Sequence, residues 1–130
     1  MNIKYFSYFF CLLLGLAVSF YSIPVQGKSE NCISKSKWYE GDRYDFKFQG
    51  RDAIIVVPQK AATGNPWIWR PAFFDAFPAV DKALLERGFH VVYLDVTNDY
   101  ASPWAIELGN RFYKEMVENY GLSSKVVMEG

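Results

Sequence analysis

The densest group of chemistry-bearing side chains is Trp67-Ile68-Trp69-Arg70. In an extended segment the two indoles, one residue apart, point to the same side. There they could wall a substrate pocket or stack on a sugar ring. The same spacing would equally let them cover a sheet edge and pack on the next helix. Arg70 could hold a substrate carboxylate through paired N–H donors, or tie its own loop to Asp75 or a backbone carbonyl. Other candidates are sparse. His90 is the only histidine. It opens an apolar stretch, where a core role is favoured over proton transfer. Ser102 stands before Pro103 with Ile106 just beyond, and reads as a helix N-cap rather than a nucleophile, because no base is available to activate it. Asp95 is suited to accept backbone N–H bonds from the loop that follows it. Tyr100 and Trp104 could line a pocket beside that loop or simply begin a helix. Glu129 reads as structural.

One histidine and two cysteines cannot build a metal cluster. The phosphate-cradling patterns Gly-x-Gly-x-x-Gly and Gly-x-x-x-x-Gly-Lys-Ser/Thr are absent. No metal and no cofactor are therefore expected. Fourteen basic and fourteen acidic residues leave no excess charge to attract nucleic acid or an anionic membrane.

The N-terminus has the order of a secretory signal: Lys4, an apolar run from Tyr5 to Ile23, then Val25 and Gly27 as small residues before Lys28. Residues 1–27 are expected to be removed, placing the mature protein outside the cell or in the periplasm. An uncleaved membrane anchor is the other reading, but Gly15, Ser19 and Pro24 interrupt the run. Cys11 leaves with the signal, so Cys32 has no partner for an internal disulfide.

The candidate residues must be positioned by the elements around them. Residues 28–37 are polar and read as a loose segment. Tyr44, Phe46 and Phe48 alternate with polar residues, the signature of a half-buried strand. Ala53-Ile54-Ile55-Val56-Val57 is a β-branched apolar run, as a strand buried on both faces requires. Residues 59–70 are predicted as a loop with Trp67–Arg70 at its tip. A helix is expected from about Pro71, opened in its main part by Pro78 and stopped at Gly88. A strand over 89–96, a helix over 104–120 and a strand over 125–128 follow. The order is a β-hairpin and then βαβαβ, which predicts an α/β fold with a mostly parallel sheet and right-handed crossovers. A sheet ending on strand 125–128 would leave an open edge, so the fold is expected to be incomplete.

Ala53–Pro58, Pro66-Trp67-Ile68-Trp69-Arg70, Gly88–Tyr93 and Lys125–Gly130 together resemble the N-terminal half of secreted bacterial α/β-hydrolases of the esterase type, over residues 38–130. The resemblance implies that the last strand runs into a Gly-x-Ser-x-Gly nucleophile elbow, with Gly130 as its first glycine and the serine just after it. It also implies oxyanion-hole N–H groups near Lys60 or Ala61, although Gln59-Lys60 stands where the family has a His-Gly signature. Trp67, Trp69, Arg70 and Tyr100 become candidates for substrate binding. The substrate would be a small-molecule ester, an acylated carbohydrate among the options. Residues 1–130 would be inactive alone, lacking nucleophile, acid and base. The rival expectation is a non-catalytic or degenerate fragment that binds carbohydrate through Trp67–Arg70.

Overall fold

The computed structural model describes residues 33–129. The predicted signal at 1–27, Cys32 and Gly130 lie outside them. Ser34–Trp38 forms β1 and pairs antiparallel with β2, Gly41–Phe48. The sequence predicts a loose segment over most of β1. A strand forms because an outer strand needs little apolar surface: Trp38 alone is buried, while Lys35 and Lys37 reach Asp42 on the next strand. Charge of this kind on an outer strand discourages pairing with another chain. A two-residue turn at Gln49-Gly50, with φ of 47° and 84°, leads into β3, Arg51–Val57. Positive φ at both positions gives the twist that a tight hairpin needs.

After a loop come β4 (Trp67–Arg70), α1 (Ala79–Glu86), β5 (His90–Leu94), α2 (Pro103–Glu118) and β6 (Val126–Met128). The six strands form one sheet in the order β1-β2-β3-β5-β4-β6.

This arrangement corrects the predicted fold class. The expectation was a mostly parallel, partial α/β-hydrolase sheet built as a hairpin followed by βαβαβ. The sheet is mixed, with β1–β2, β2–β3 and β3–β5 antiparallel and only β4–β5 and β4–β6 parallel. Two segments account for the difference. Ala53–Val57 runs against both of its neighbours, so it does not begin a parallel set. Trp67–Arg70, expected at a loop tip, is instead the strand between β5 and β6. All four of its residues are buried, so it shows no alternation, and Gly64-Asn65-Pro66 just ahead supplies turn signals that hide it.

Each face of the sheet has its own core. Ala53, Ile55, Trp67, Trp69, Val92 and Leu94 pack with Leu108, Phe112 and Met116 of α2. Ile54, Val56, Ile68 and Val91 pack with Leu85 of α1 and with Trp38. Burial on both faces explains the apolar runs Ala53–Val57, Trp67–Trp69 and Val91–Leu94 within β3, β4 and β5. Helix α2 starts as its sequence dictates: Pro103 occupies the first turn, and the Ser102 hydroxyl accepts a hydrogen bond from Ala105 N at 3.3 Å.

Candidate functional site

Because β4, β5 and β6 run in the same direction, their carboxyl ends meet at one end of the sheet. The loop 71–78 leaves β4 there, the loop 95–102 leaves β5, and Glu129 follows β6. A cleft of about 700 Å³ opens among them. Its wall includes Trp69 and Met128 from the strands, Phe73 and Tyr100 from the loops, and Ile106 and Gly109 from α2. Thr97, Asn98, Tyr100, Asn110 and the indole N–H of Trp69 are groups on it that can hydrogen-bond through side chains, and among the described residues no charged side chain lines it.

Both loops carry unfavourable backbone. Phe73, Asp75 and Phe77 have φ of 52°, 67° and 53°, and Asn98, Tyr100 and Ala101 have φ of 71°, 47° and 53°. Bulky side chains rarely adopt this left-handed region, and such strain gathers at sites that need a fixed shape. The loop after β5 is anchored at several points. Asp95 accepts a hydrogen bond from Thr97 N at 3.1 Å. Burial disfavours its charge, yet bonds from Thr97 and the nearby Arg51 hold the carboxyl below its ordinary range. Arg51 pairs with Asp99 at 3.0 Å and lies over the Trp104 ring.

On the opposite face, behind the loop after β4, lies a buried charge cluster. Arg70 Nη1 donates to the carbonyls of Phe73 and Ala76, at 2.9 and 3.0 Å. Its Nε lies 3.1 Å from Asp81 Oδ2, and Nη2 donates to Glu129 Oε1 at 3.2 Å. One guanidinium thus ties the loop to the first turn of α1 and to the residue after β6. Asp81 is 1% exposed. Its pKa is pushed up to about 6, chiefly by burial; the Arg70 charge works in the other direction and Glu129 adds to the rise. A second hollow of about 540 Å³ lies beside this cluster, bordered by Arg70, Glu129, Phe73 and Phe77.

The candidates chosen from sequence fall in different places. Tyr100 borders the cleft and is 89% exposed. Trp69 borders it from below, with its indole N–H buried and unpaired. Trp67 is fully buried, stacks on Trp69 and Tyr113, and donates to the Ser123 carbonyl at 2.7 Å. The two indoles therefore share a face, but as core and not as an exposed platform. Arg70 is committed to its loop and to two carboxylates, whereas Asp75 takes the Trp38 N–H. Lys60 and Ala61 lie at the other end of the sheet. Ala62 N donates to Gly88 O there, just ahead of β5, because β3 runs antiparallel to β5. His90 is at that far end too, with Nδ1 3.3 Å from the Pro66 carbonyl; burial lowers its pKa against the effect of that bond.

Two sets of residues escaped the sequence reading. Asp81 heads a helix whose Leu84 and Leu85 follow at spacings of three and four. An acid on that buried face signals a buried partner. Ala105 and Gly109, one turn apart, mark where α2 comes close to the sheet. A Cβ on Gly109 would sit 3.2 Å from the Trp69 ring.

No protein-family model matches the chain, and no curated protein or solved structure matches it. Among the described residues, no helix is long and apolar enough to cross a membrane, and no group of three or more metal-binding side chains comes together.

Proposed function

We propose that the protein is an exported hydrolase that cleaves carboxylic esters by acyl transfer through a serine. In this reading residues 33–129 supply the frame and the substrate cleft, and the turn after β6 supplies the nucleophile. The observation that carries it is the uncharged cleft at the carboxyl ends of three parallel strands. Loops from different strands converge on a ligand at such a place. Strained backbone in both bordering loops supports a site held to shape. Export rests on the signal pattern of residues 1–27.

Chemistry divides along the same line. Among the described residues the cleft wall has hydrogen-bonding groups but no base, and the chain's one histidine is at the far end of the sheet. In this reading the serine follows Gly130, beyond the strand whose Met128 lines the cleft. Its oxygen would attack the ester carbonyl while a histidine takes the proton and backbone N–H groups stabilise the oxyanion; the C–O bond to the alcohol then breaks, the alcohol leaves with that proton, and water releases the acid from the serine. Ala72 and Phe73 border the cleft, so their N–H groups suit that last role better than those of Lys60 and Ala61. Arg70 contributes by holding the loop that carries them.

Labelling tests this reading. The protein recovered from the cells that make it is treated with a fluorophosphonate, and its peptides are mapped by mass spectrometry. Label is expected on a serine that follows Glu129. A protein that takes no label, or takes it elsewhere, refutes the proposal. Purified residues 28–130 should hydrolyse p-nitrophenyl acetate no faster than buffer does.

A further inference from the structure

The wall of the cleft restricts what it can hold. Among the described residues its lining has no charged side chain, so a carboxylate, phosphate or ammonium group would enter without a counter-charge and lose its hydration. A sugar fits poorly for a related reason. Its hydroxyls need several partners each, and among the described residues the lining offers few: the side chains of Thr97, Asn98, Tyr100 and Asn110 and the buried indole N–H of Trp69. The indole pair that might have stacked on a pyranose is closed off, because Trp67 is fully buried.

The surfaces that remain are flat, apolar and aromatic. Trp69 forms the floor, and Gly109 lets the helix backbone approach this ring where any side chain would crowd it. Phe73 and Tyr100 rise at the rims, 70% and 89% exposed. Met128 adds a thioether that packs favourably on a ring. Aromatic rings gain from offset or edge contacts with such neighbours beyond the area they bury. A volume of about 700 Å³ is far more than an acetyl group would fill.

We propose that the cleft binds an uncharged aromatic acyl group, of benzoyl to cinnamoyl size, held among Phe73, Tyr100 and Met128 with only the edge of Trp69 beneath it. As a statement about the substrate's acyl part this rests on the esterase reading. As a statement about the ligand class it rests on the wall alone.

The chain is titrated with methyl cinnamate and, separately, with methyl 6-O-acetylglucoside, following backbone and indole N–H signals by NMR. Saturable shifts are expected for methyl cinnamate at the Trp69 indole and at the amides of Ala105, Ile106 and Gly109. The acetylglucoside should bind at least about tenfold more weakly. Ile106→Asp changes a side chain that is 55% exposed, so the fold tolerates it. A carboxylate at the wall should weaken methyl cinnamate at least about tenfold. Equal or tighter binding of the acetylglucoside overturns the proposal. So do shifts remote from the cleft, or no binding of methyl cinnamate up to its solubility limit. The two proposals fail separately. Cinnamate binding in a protein that takes no fluorophosphonate leaves the ligand class standing and removes the reaction. Serine labelling without cinnamate binding does the reverse.

Discussion

Replacing Asp81 by Asn should change how the stability of the fold depends on pH. Asp81 is nearly inaccessible and lies against Arg70, with Glu129 bonded to the same guanidinium and within hydrogen-bonding reach of Asp81. Burial outweighs the arginine's attraction, and the folded pKa rises from 3.8 to about 6. The sign follows from linkage: the fold binds this proton more tightly than the unfolded chain does. The resulting stabilisation is complete below pH 3.8 and is lost as pH rises through about 6. A shift of about two units corresponds to about 3 kcal/mol, with about 2 kcal/mol of that lost between pH 4 and 7.5. Asparagine keeps the shape and cannot ionise, so this slope should vanish in the variant. Urea unfolding of both proteins across that range measures it. Taking the difference between them removes carboxylates such as Asp42, whose lowered pKa acts in the opposite direction in both. Wild type should lose about 2 kcal/mol relative to Asp81→Asn on going from pH 4 to 7.5. Parallel curves would show that Asp81 is ionised throughout, and the account of the cluster would fail.

Two simpler substitutions probe the frame. Gly88→Ala forces a side chain into a backbone with φ of 87°, where its Cβ would meet Ala62 N at 2.5 Å and Lys60 O at 2.7 Å. A loss of at least about 2 kcal/mol is expected in urea unfolding, because a strained φ and a backbone clash add. Ser102→Ala removes the cap of α2 and should cost about 1 kcal/mol, read from the unfolding midpoint.

Legibility in the sequence followed the strength of local signals. The strand around Val91, the helix from Pro103 and the Ser102 cap were readable because periodicity, proline position and capping chemistry agreed. The stop at Gly88 was readable for the same reason. Strand β4 was hidden because four buried residues after a turn look like a loop. Missing it turned a mixed sheet into a mostly parallel one and put Lys60 and Ala61, the expected oxyanion donors, at the end of the sheet away from the cleft. Strand β1 was hidden because its stability comes from its neighbour's backbone and not from its own side chains. For Tyr100 the sequence left a pocket wall and a helix entry equally open, and the residue borders the cleft. The Arg70 cluster was half legible. A fixed loop could be read from Arg70 itself, whereas Asp81 and Glu129 come from segments 11 and 59 residues away, and only the sheet brings them together.

Strand β4 also governs the fidelity of folding. Its neighbouring residues Trp69 and Arg70 face opposite sides, one into rings and the other onto carboxylates. Slippage by one residue against β5 would turn the guanidinium into the aromatic layer and the indole onto Asp81 and Glu129. Both errors are costly, since each leaves a buried charge without its partner. A strand of only four residues makes few ladder bonds with which to choose its alignment. This contrast of adjacent side chains penalises a misaligned sheet, and with it any misplacement of the loops that form the cleft.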